Sequence, residues 1–177
     1  SHSNYASFAW IPRFGAPDLA RHKTAAQVYG LLVLRSAQSL FLPLSLTDDA
    51  QALAAHQASL EKIARDANVR LAPAWRQRLS DAIERITQGA RRLAAEQAAL
   101  ASRLDAPGRD LAPTLRAAHA INERLPAWEH GWLDARGLGQ RTCSRRLGVA
   151  PGRWLGYGAT AFPGVTESTT LDGGEHT

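Results

Sequence analysis

One long stripe of residues limits what this chain can fold into. The stripe is apolar at all but one position and advances in steps of three and four residues: Trp75, Leu79, Ala82, Ile86, Ala90, Leu93, Gln97, Leu100 and Leu104. This spacing is typical of a helix that packs lengthwise on neighbouring helices. Pro73 is expected to start this helix, and the stripe extends it to Leu104. About 30 residues predict a rod of about 45 Å, which needs partners of similar length.

The rest of the chain offers such partners. The sequence predicts three further helices, which run from Pro17 to about Phe41, from Thr47 to about Asn68 and from Leu111 to Pro126. Leu31 and Leu34 widen the apolar face of the first of these, so it is expected to be the most buried helix. Pro126 should kink or end the last one, because proline lacks the N–H donor of a helix interior. The predicted fold is all-α, an up-and-down bundle of about four helices with irregular N- and C-terminal arms.

The two arms differ from the bundle in composition. Residues 1–16 show no helical or strand period, and from Gly137 onward seven glycines and two prolines fall within 29 residues. Trp154, Tyr157 and Phe162 make this second arm too apolar for a free tail, so it is expected to be an ordered, extended loop that packs on another surface. Residues 166–177 are expected to form a frayed end.

Charge and hydropathy exclude two classes of partner. Lys and Arg number 21 against 16 Asp and Glu, a net charge of +5, and the charges are interspersed. A solvated surface explains this pattern better than a nucleic-acid footprint. The most apolar stretch, residues 28–44, is interrupted by Arg35 and by polar residues, which favours a buried helix over a membrane span. We therefore predict no nucleic-acid partner and no membrane contact by this chain.

The chain has no complete catalytic set. Asp48 and Asp49 are better explained as N-terminal residues of a helix than as an acid–base pair. Cys143, the single cysteine, has Arg145 and Arg146 nearby but no histidine placed beside it by sequence. Four histidines fall on predicted helices without a ligand-like partner: His22, His56, His119 and His130. No cluster has the spacing of a zinc site.

Two stretches resemble a known family, the zinc-dependent peptidases related to glutamate carboxypeptidase (folate hydrolase, prostate-specific membrane antigen) and the transferrin receptor. The stretch "HSNYASFAWIPRFGAPDLARHKTAAQVYGLLVLRSAQSLFLPL" is similar to the family segment that leads from the last zinc ligand into the helical C-terminal domain. The stretch "INERLPAWEHGWLDARGLGQRTCSRRLGVAPGRWLGYGATAFPGV" is similar to the end of the transferrin-receptor-like dimerisation domain. Together the resemblance covers nearly all of the chain up to Val165.

The resemblance implies roles for single residues. His2 stands where the family has a zinc ligand, and Tyr157 stands where it has a tyrosine that contacts the substrate near its terminal carboxylate. Gly156 occupies the place of a lysine that pairs with that carboxylate in glutamate carboxypeptidase. Five positions depart from the family's Gly-Leu-Pro-x-Arg-Pro-aromatic-Tyr-Arg-His run: Gly139, Thr142, Cys143, Ser144 and Arg146. The family's final helix after the Phe-Pro-Gly turn is expected to be missing here.

The implied organisation has three parts. Residues 1–16 would be the tail end of a peptidase catalytic domain, residues 17–136 a helical dimerisation bundle, and residues 137–177 an arm that packs towards the catalytic domain. The resemblance implies a homodimer whose arm walls part of the substrate site of a zinc-dependent carboxypeptidase or aminopeptidase. One histidine cannot hold a catalytic zinc, so this chain alone is expected to be inactive and to bind no zinc. The remaining ligands and the glutamate base are expected upstream.

Two alternatives remain open from the sequence. The chain could be one part of a split or clipped zinc exopeptidase, active only together with its catalytic fragment. It could also be a helical adaptor that shares only the bundle period. Many members of the family are exported or membrane-anchored, so the resemblance is compatible with an exported or periplasmic protein.

Overall fold

The computed structural model describes residues 4–5, 7–104, 111–139, 141–154 and 156–171. Five α-helices in this part confirm the predicted all-α class: α1 (Ala20–Gln38), α2 (Leu46–Asp66), α3 (Pro73–Leu104), α4 (Ala112–His130) and α5 (Pro163–Leu171). Two short strands, β1 (Val149–Pro151) and β2 (Ala159–Ala161), stand between α4 and α5. The chain divides into two compact units, Ser1–Pro43 and Leu44–Thr177.

The first unit contains α1 and a wide π-helical turn, Ile11–Gly15. The start of α1 lies three residues later than predicted, because Leu19 has a positive φ of 54° and cannot be part of the helix. Asp18 instead accepts a hydrogen bond from the Ala20 N–H at 3.1 Å. This aspartate therefore caps the helix from outside rather than lying in its first turn.

The expectation that α1 is the most buried helix is wrong. No residue of α1 is buried. Six consecutive or neighbouring apolar side chains are more than half exposed: Val28, Tyr29, Leu31, Leu32, Val33 and Leu34. The physical reason is that a helix buries a side chain only where another element packs on it. In the described part of its unit, the residues outside α1 form one π-helical turn and irregular segments.

The second unit is built around α3, which has the predicted bounds. All nine stripe positions between Trp75 and Leu104 are buried or half-buried. The helix packs against α2 along one side and against α4 along another, and α2 also contacts α5. A core of Leu60, Ala64 and Leu71 lies where α2, α3 and α5 meet, with Trp75, Phe162 and Val165 packed against it. The stripe therefore forms the seam of this unit.

Helix α4 continues through Pro126 to His130, so of the two predicted effects of this proline, a kink or an end of the helix, the end does not occur. Leu125 is only 4% exposed, and the Trp128 Nε1–H donates to Asp49 Oδ2 at 2.9 Å. These contacts hold the last turn of α4 against α2. Packing on both sides of Pro126 offsets the backbone hydrogen bond that it cannot donate.

The C-terminal arm is ordered, as predicted, but more regular than an extended loop. Strands β1 and β2 pair antiparallel, with Ala150 opposite Thr160. The frayed end predicted for residues 166–177 is wrong for residues 166–171, which belong to α5, and residues 172–177 lie outside the described residues. The expectation of no helix after the Phe-Pro-Gly turn is also wrong. Threonines are weak helix formers, which hides α5 in the sequence. In the fold, the buried Thr169 hydroxyl donates to the Val165 carbonyl at 2.8 Å.

Candidate functional site

The tip of the β1–β2 hairpin carries the sequence-predicted substrate residue Tyr157. The Gly152 N–H donates to the Gly158 carbonyl at 2.7 Å, and the Gly156 N–H donates to the Gly152 carbonyl at 3.0 Å. Gly156 has a φ of +64°, a conformation that glycine adopts without strain. A lysine at this position, as in glutamate carboxypeptidase, would be strained by this backbone.

Aromatic side chains project from the same tip. Tyr157 is 89% exposed and Trp154 is 77% exposed. The guanidinium carbon of Arg153 lies 5.2 Å from the centroid of the Trp154 ring, a cation–π distance. Tyrosine and tryptophan supply both apolar area and a hydrogen-bonding group to a contact surface. The tip therefore has the chemistry of a contact surface, while the substrate role of Tyr157 stays a prediction.

Arg141 joins the three parts of the arm. Its Nη1 donates to the Pro151 carbonyl at the end of β1, at 2.6 Å. Its Nη2 forms an ion pair with Glu167 of α5, and the two side chains are only 15% and 12% exposed. Its Nε is buried without a hydrogen-bond partner in the part of the chain that the structure describes. We call this group of Arg141, Pro151 and Glu167 the Arg141 clasp.

The clasp was not among the predicted site residues, although a signal for it existed. Arg141 occupies the arginine of the family's Gly-Leu-Pro-x-Arg-Pro run, and it is kept while the positions around it differ. Gly137, at the start of the same run, is kept for a steric reason. It has a φ of +73°, and a Cβ atom there would lie 2.3 Å from the Thr142 carbonyl oxygen. The backbone at Gly137 thus lies close to the backbone at Thr142, and this close approach fixes the loop that contains Arg141.

Asp134 closes the turn that leads from α4 into this loop. Its carboxylate accepts from the Arg136 backbone N–H at 2.8 Å, from Nε at 3.1 Å and from Nη2 at 2.7 Å. The side-chain hydrogen bonds from Arg136, followed by the backbone one, lower the pKa of Asp134 to about 2. The carboxylate therefore stays ionised and bonded over the whole neutral and mildly acidic range.

Three of the other candidate residues discussed from the sequence lie on α2, and one lies in the loop after α4. Asp48 and Asp49 lie in the first turn of α2, where Asp49 also accepts from Trp128. Cys143 is exposed. His56 packs edge-on against Phe162, with ring centroids 6.2 Å apart. Within the described ranges, no group of three or more His, Cys, Asp or Glu side chains could hold a metal ion. His2 lies outside the described residues.

A groove between α3 and α4 is a second candidate surface. We call it the α3–α4 groove; it has a volume of about 690 Å³. Its apolar lining includes Leu46, Leu93, Ile121, Leu125 and Trp128, and its charged lining consists of Arg92, Glu96 and Arg124. An apolar floor with charges of both signs is typical of an interface between proteins. None of the described helices is both long enough and apolar enough to cross a bilayer.

Comparison with known proteins adds a family to this geometry. The sequence model of the transferrin receptor-like dimerisation domain matches residues 75–174. The match begins in the stripe of α3 and includes α4, the hairpin with Tyr157, and α5. It therefore contains the α3 and α4 sides of the groove and the whole Arg141 clasp.

Three curated proteins are similar over almost the whole chain. The probable glutamate carboxypeptidase LAMP1 of Arabidopsis thaliana is 28% identical over 94% of this chain. The probable glutamate carboxypeptidase AMP1 of Arabidopsis thaliana is 26% identical over 98% of it. The probable glutamate carboxypeptidase of Arthroderma benhamiae is 27% identical over 99% of it. The chain spans only 22% to 24% of the length of these relatives.

Proposed function

Because the chain belongs to the transferrin receptor-like dimerisation domain family, we propose that it forms a homodimer and works beside the catalytic domain of a glutamate carboxypeptidase-like peptidase. The observation that carries the proposal is the family match across α3, α4 and the arm. The similarity to probable glutamate carboxypeptidases supports the peptidase as the associated domain. In this proposal, residues 17–136 provide the dimerisation bundle and residues 137–177 the arm that packs towards the catalytic domain.

The α3–α4 groove is the surface that we assign to the dimer. A twofold interface brings the same patch of both subunits together, so the patch must be self-complementary. Support for this assignment comes from charge, because the lining combines apolar side chains with Glu96 on the α3 wall and Arg124 on the α4 wall. Across a twofold axis, each glutamate can face the arginine of the second copy. Such pairs would fix the register of the two subunits.

Light scattering tests the dimer. At tens of micromolar, the chain is expected to show twice its mass of 19.1 kDa. Ala120→Asp places a carboxylate at an exposed position of the groove and is expected to weaken the dimer at least about tenfold, because an unpaired charge would be buried. The control is Ala58→Asp, at an exposed position of α2 outside the groove. A strict monomer would contradict the dimer, and a dimer indifferent to Ala120→Asp would contradict the groove.

The hairpin tip is the part that we assign to the substrate site. Its exposed Tyr157 and Trp154 support this role, because both can contact a neighbouring domain or its substrate. In an assay together with the proposed catalytic domain, Tyr157→Ala is expected to raise KM while the dimer stays intact. The matched control is Tyr29→Ala, which removes an exposed tyrosine of α1 outside the hairpin tip. An unchanged KM for Tyr157→Ala would contradict the proposed contact.

Zinc belongs in this proposal to the catalytic domain. The described residues supply no ligand cluster, and His2, the ligand that the resemblance implies, lies outside them. In this proposal the catalytic domain supplies the other zinc ligands, and His2 is the ligand that this chain contributes.

A further inference from the structure

The connection between α2 and α3 forms an open pocket of about 450 Å³ with an unusual charge. We call it the α2–α3 pocket. Arg65 lines it from the last turn of α2, Arg70 from the connection, and Arg76 from the first turns of α3. Among the described residues that line it, only Glu61 is acidic. The lining therefore carries an excess of two positive charges.

The three guanidinium groups are available for a ligand. In the described ranges, none of the three arginines forms an ion pair with an acidic side chain. Glu61 is engaged elsewhere, since its Oε1 accepts a hydrogen bond from Gln57 Nε2 at 3.1 Å. A guanidinium group presents a planar fork of N–H donors that matches carboxylate and phosphate oxygens. Three such forks around one pocket favour a ligand with several oxyanion groups.

The backbone beneath these arginines is fixed. Ala64 and Leu71 form the floor of the pocket and are 2% and 7% exposed, as members of the hydrophobic core. Asn68 takes a left-handed conformation with a φ of 57°, and the Val69 N–H donates to the Ala64 carbonyl at 2.8 Å. The core and the turn therefore fix the backbone of the pocket, and the arginine side chains are the part that can adjust.

The helix ends at the pocket are compatible with an anion. Carbonyl oxygens at the end of α2 are already bonded, since the N–H groups of Ala67 and Asn68 donate to the Ile63 and Arg65 carbonyls at 2.9 and 3.0 Å. The pocket also lies beside the N-terminus of α3, a helix of 32 residues. The N-terminal end of a helix dipole attracts negative charge. The C-terminal end of α2 lies at the same pocket and has the opposite effect, so the attraction for an anion rests on the three arginines.

From these contacts we propose that the α2–α3 pocket binds a small polyvalent anion that carries two or more carboxylate or phosphate groups. The volume suits a small molecule. The pocket lies outside the α3–α4 groove and the hairpin tip, so this inference does not depend on the dimer or on the peptidase.

Calorimetric titration of the full chain with citrate and with inorganic pyrophosphate tests the pocket. Saturable binding of at least one probe, with one site per chain, is expected at low salt. Arg70→Gln is expected to weaken binding about tenfold, because it removes charge-assisted hydrogen bonds. Glu61→Gln is expected to tighten binding severalfold, since it removes the one negative charge of the lining and keeps an acceptor for Gln57. The control is Arg85→Gln, at an exposed arginine of α3 outside the pocket.

Each outcome decides the proposal. Tighter binding of citrate supports a carboxylate ligand, and tighter binding of pyrophosphate supports a phosphate ligand. Absence of saturable binding of both probes at millimolar concentration overturns the proposal. It is also overturned if Arg70→Gln and Arg85→Gln weaken binding equally, because the anion would then respond only to net charge. Circular dichroism of each variant separates lost binding from lost folding.

Discussion

Arg141→Met is expected to lower the free energy of unfolding by about 3 kcal/mol, the lower end of the cost of leaving one partner of a buried ion pair without the other, because this pair is largely but not fully buried. Methionine keeps the apolar stem of the side chain but removes every donor. The Glu167 carboxylate, 12% exposed, then has no counter-charge. The Pro151 carbonyl also loses the hydrogen bond that it accepts from Arg141. Urea unfolding followed by circular dichroism measures the loss.

Two further variants test whether the stability loss is specific to the Arg141–Glu167 pair or would follow from breaking any ion pair. Asp66→Asn breaks the Lys62–Asp66 pair, whose side chains are 70% and 63% exposed, and is expected to cost below about 1 kcal/mol. Arg141→Met combined with Glu167→Leu is expected to recover much of the lost stability, because no buried charge remains. A loss for Arg141→Met as small as that for Asp66→Asn would contradict the structural role of the clasp.

The clasp matters for function because it connects elements that are distant in sequence. Arg141 lies before β1, Pro151 ends β1, and Glu167 lies in α5. The loop with Trp154 and Tyr157 leaves the sheet directly after Pro151. If the tip contacts a catalytic domain, as proposed, its position is held by this clasp at one end. A weakened clasp would then disturb the contact without changing any residue of the tip.

The sequence predicts the bundle well where one signal persists over many residues. Helix α3 has the predicted bounds because nine stripe positions agree on one period, so a single weak position such as Gln97 or Gly89 changes little. Helix α5 was missed because its four threonine and serine residues have low helix propensity. Its stability comes from Pro163 at the start and from packing of Val165 on the core. Tertiary contacts of this kind have no local sequence pattern.

The candidate sites also differ in whether a local sequence pattern reveals them. Tyr157 is a candidate through its neighbours in sequence, by resemblance to a family, and its role stays a prediction. The α2–α3 pocket could not be found in this way, since Arg65, Arg70 and Arg76 have no motif spacing and come together only through the left-handed turn at Asn68. The exposure of α1 also could not be predicted from the sequence, because periodicity identifies an apolar face but does not say which element covers it.

Leu60→Ala is expected to lower the free energy of unfolding by about 2–5 kcal/mol, the range for deleting a large buried side chain and leaving a cavity. Leu60 is 1% exposed and lies where α2 meets Leu71, Phe162 and Val165. The same deletion at an exposed position, Leu115→Ala on α4, is the control, since Leu115 is 50% exposed and leaves no cavity. Chemical denaturation of both variants gives the two values.

Hydrogen exchange adds a readout that a general loss of stability would not produce. Helix α5 is short and packs on the Leu60 core through Val165, so its amides are expected to lose more protection in Leu60→Ala than the amides of α4. The Arg141 clasp holds α5 from the opposite side through Glu167. If α5 keeps its protection while α4 loses it, the core contact is not what fixes the arm on the bundle. Combining Leu60→Ala with Arg141→Met should then show whether the two anchors of α5 are coupled, because additive losses indicate independent anchors.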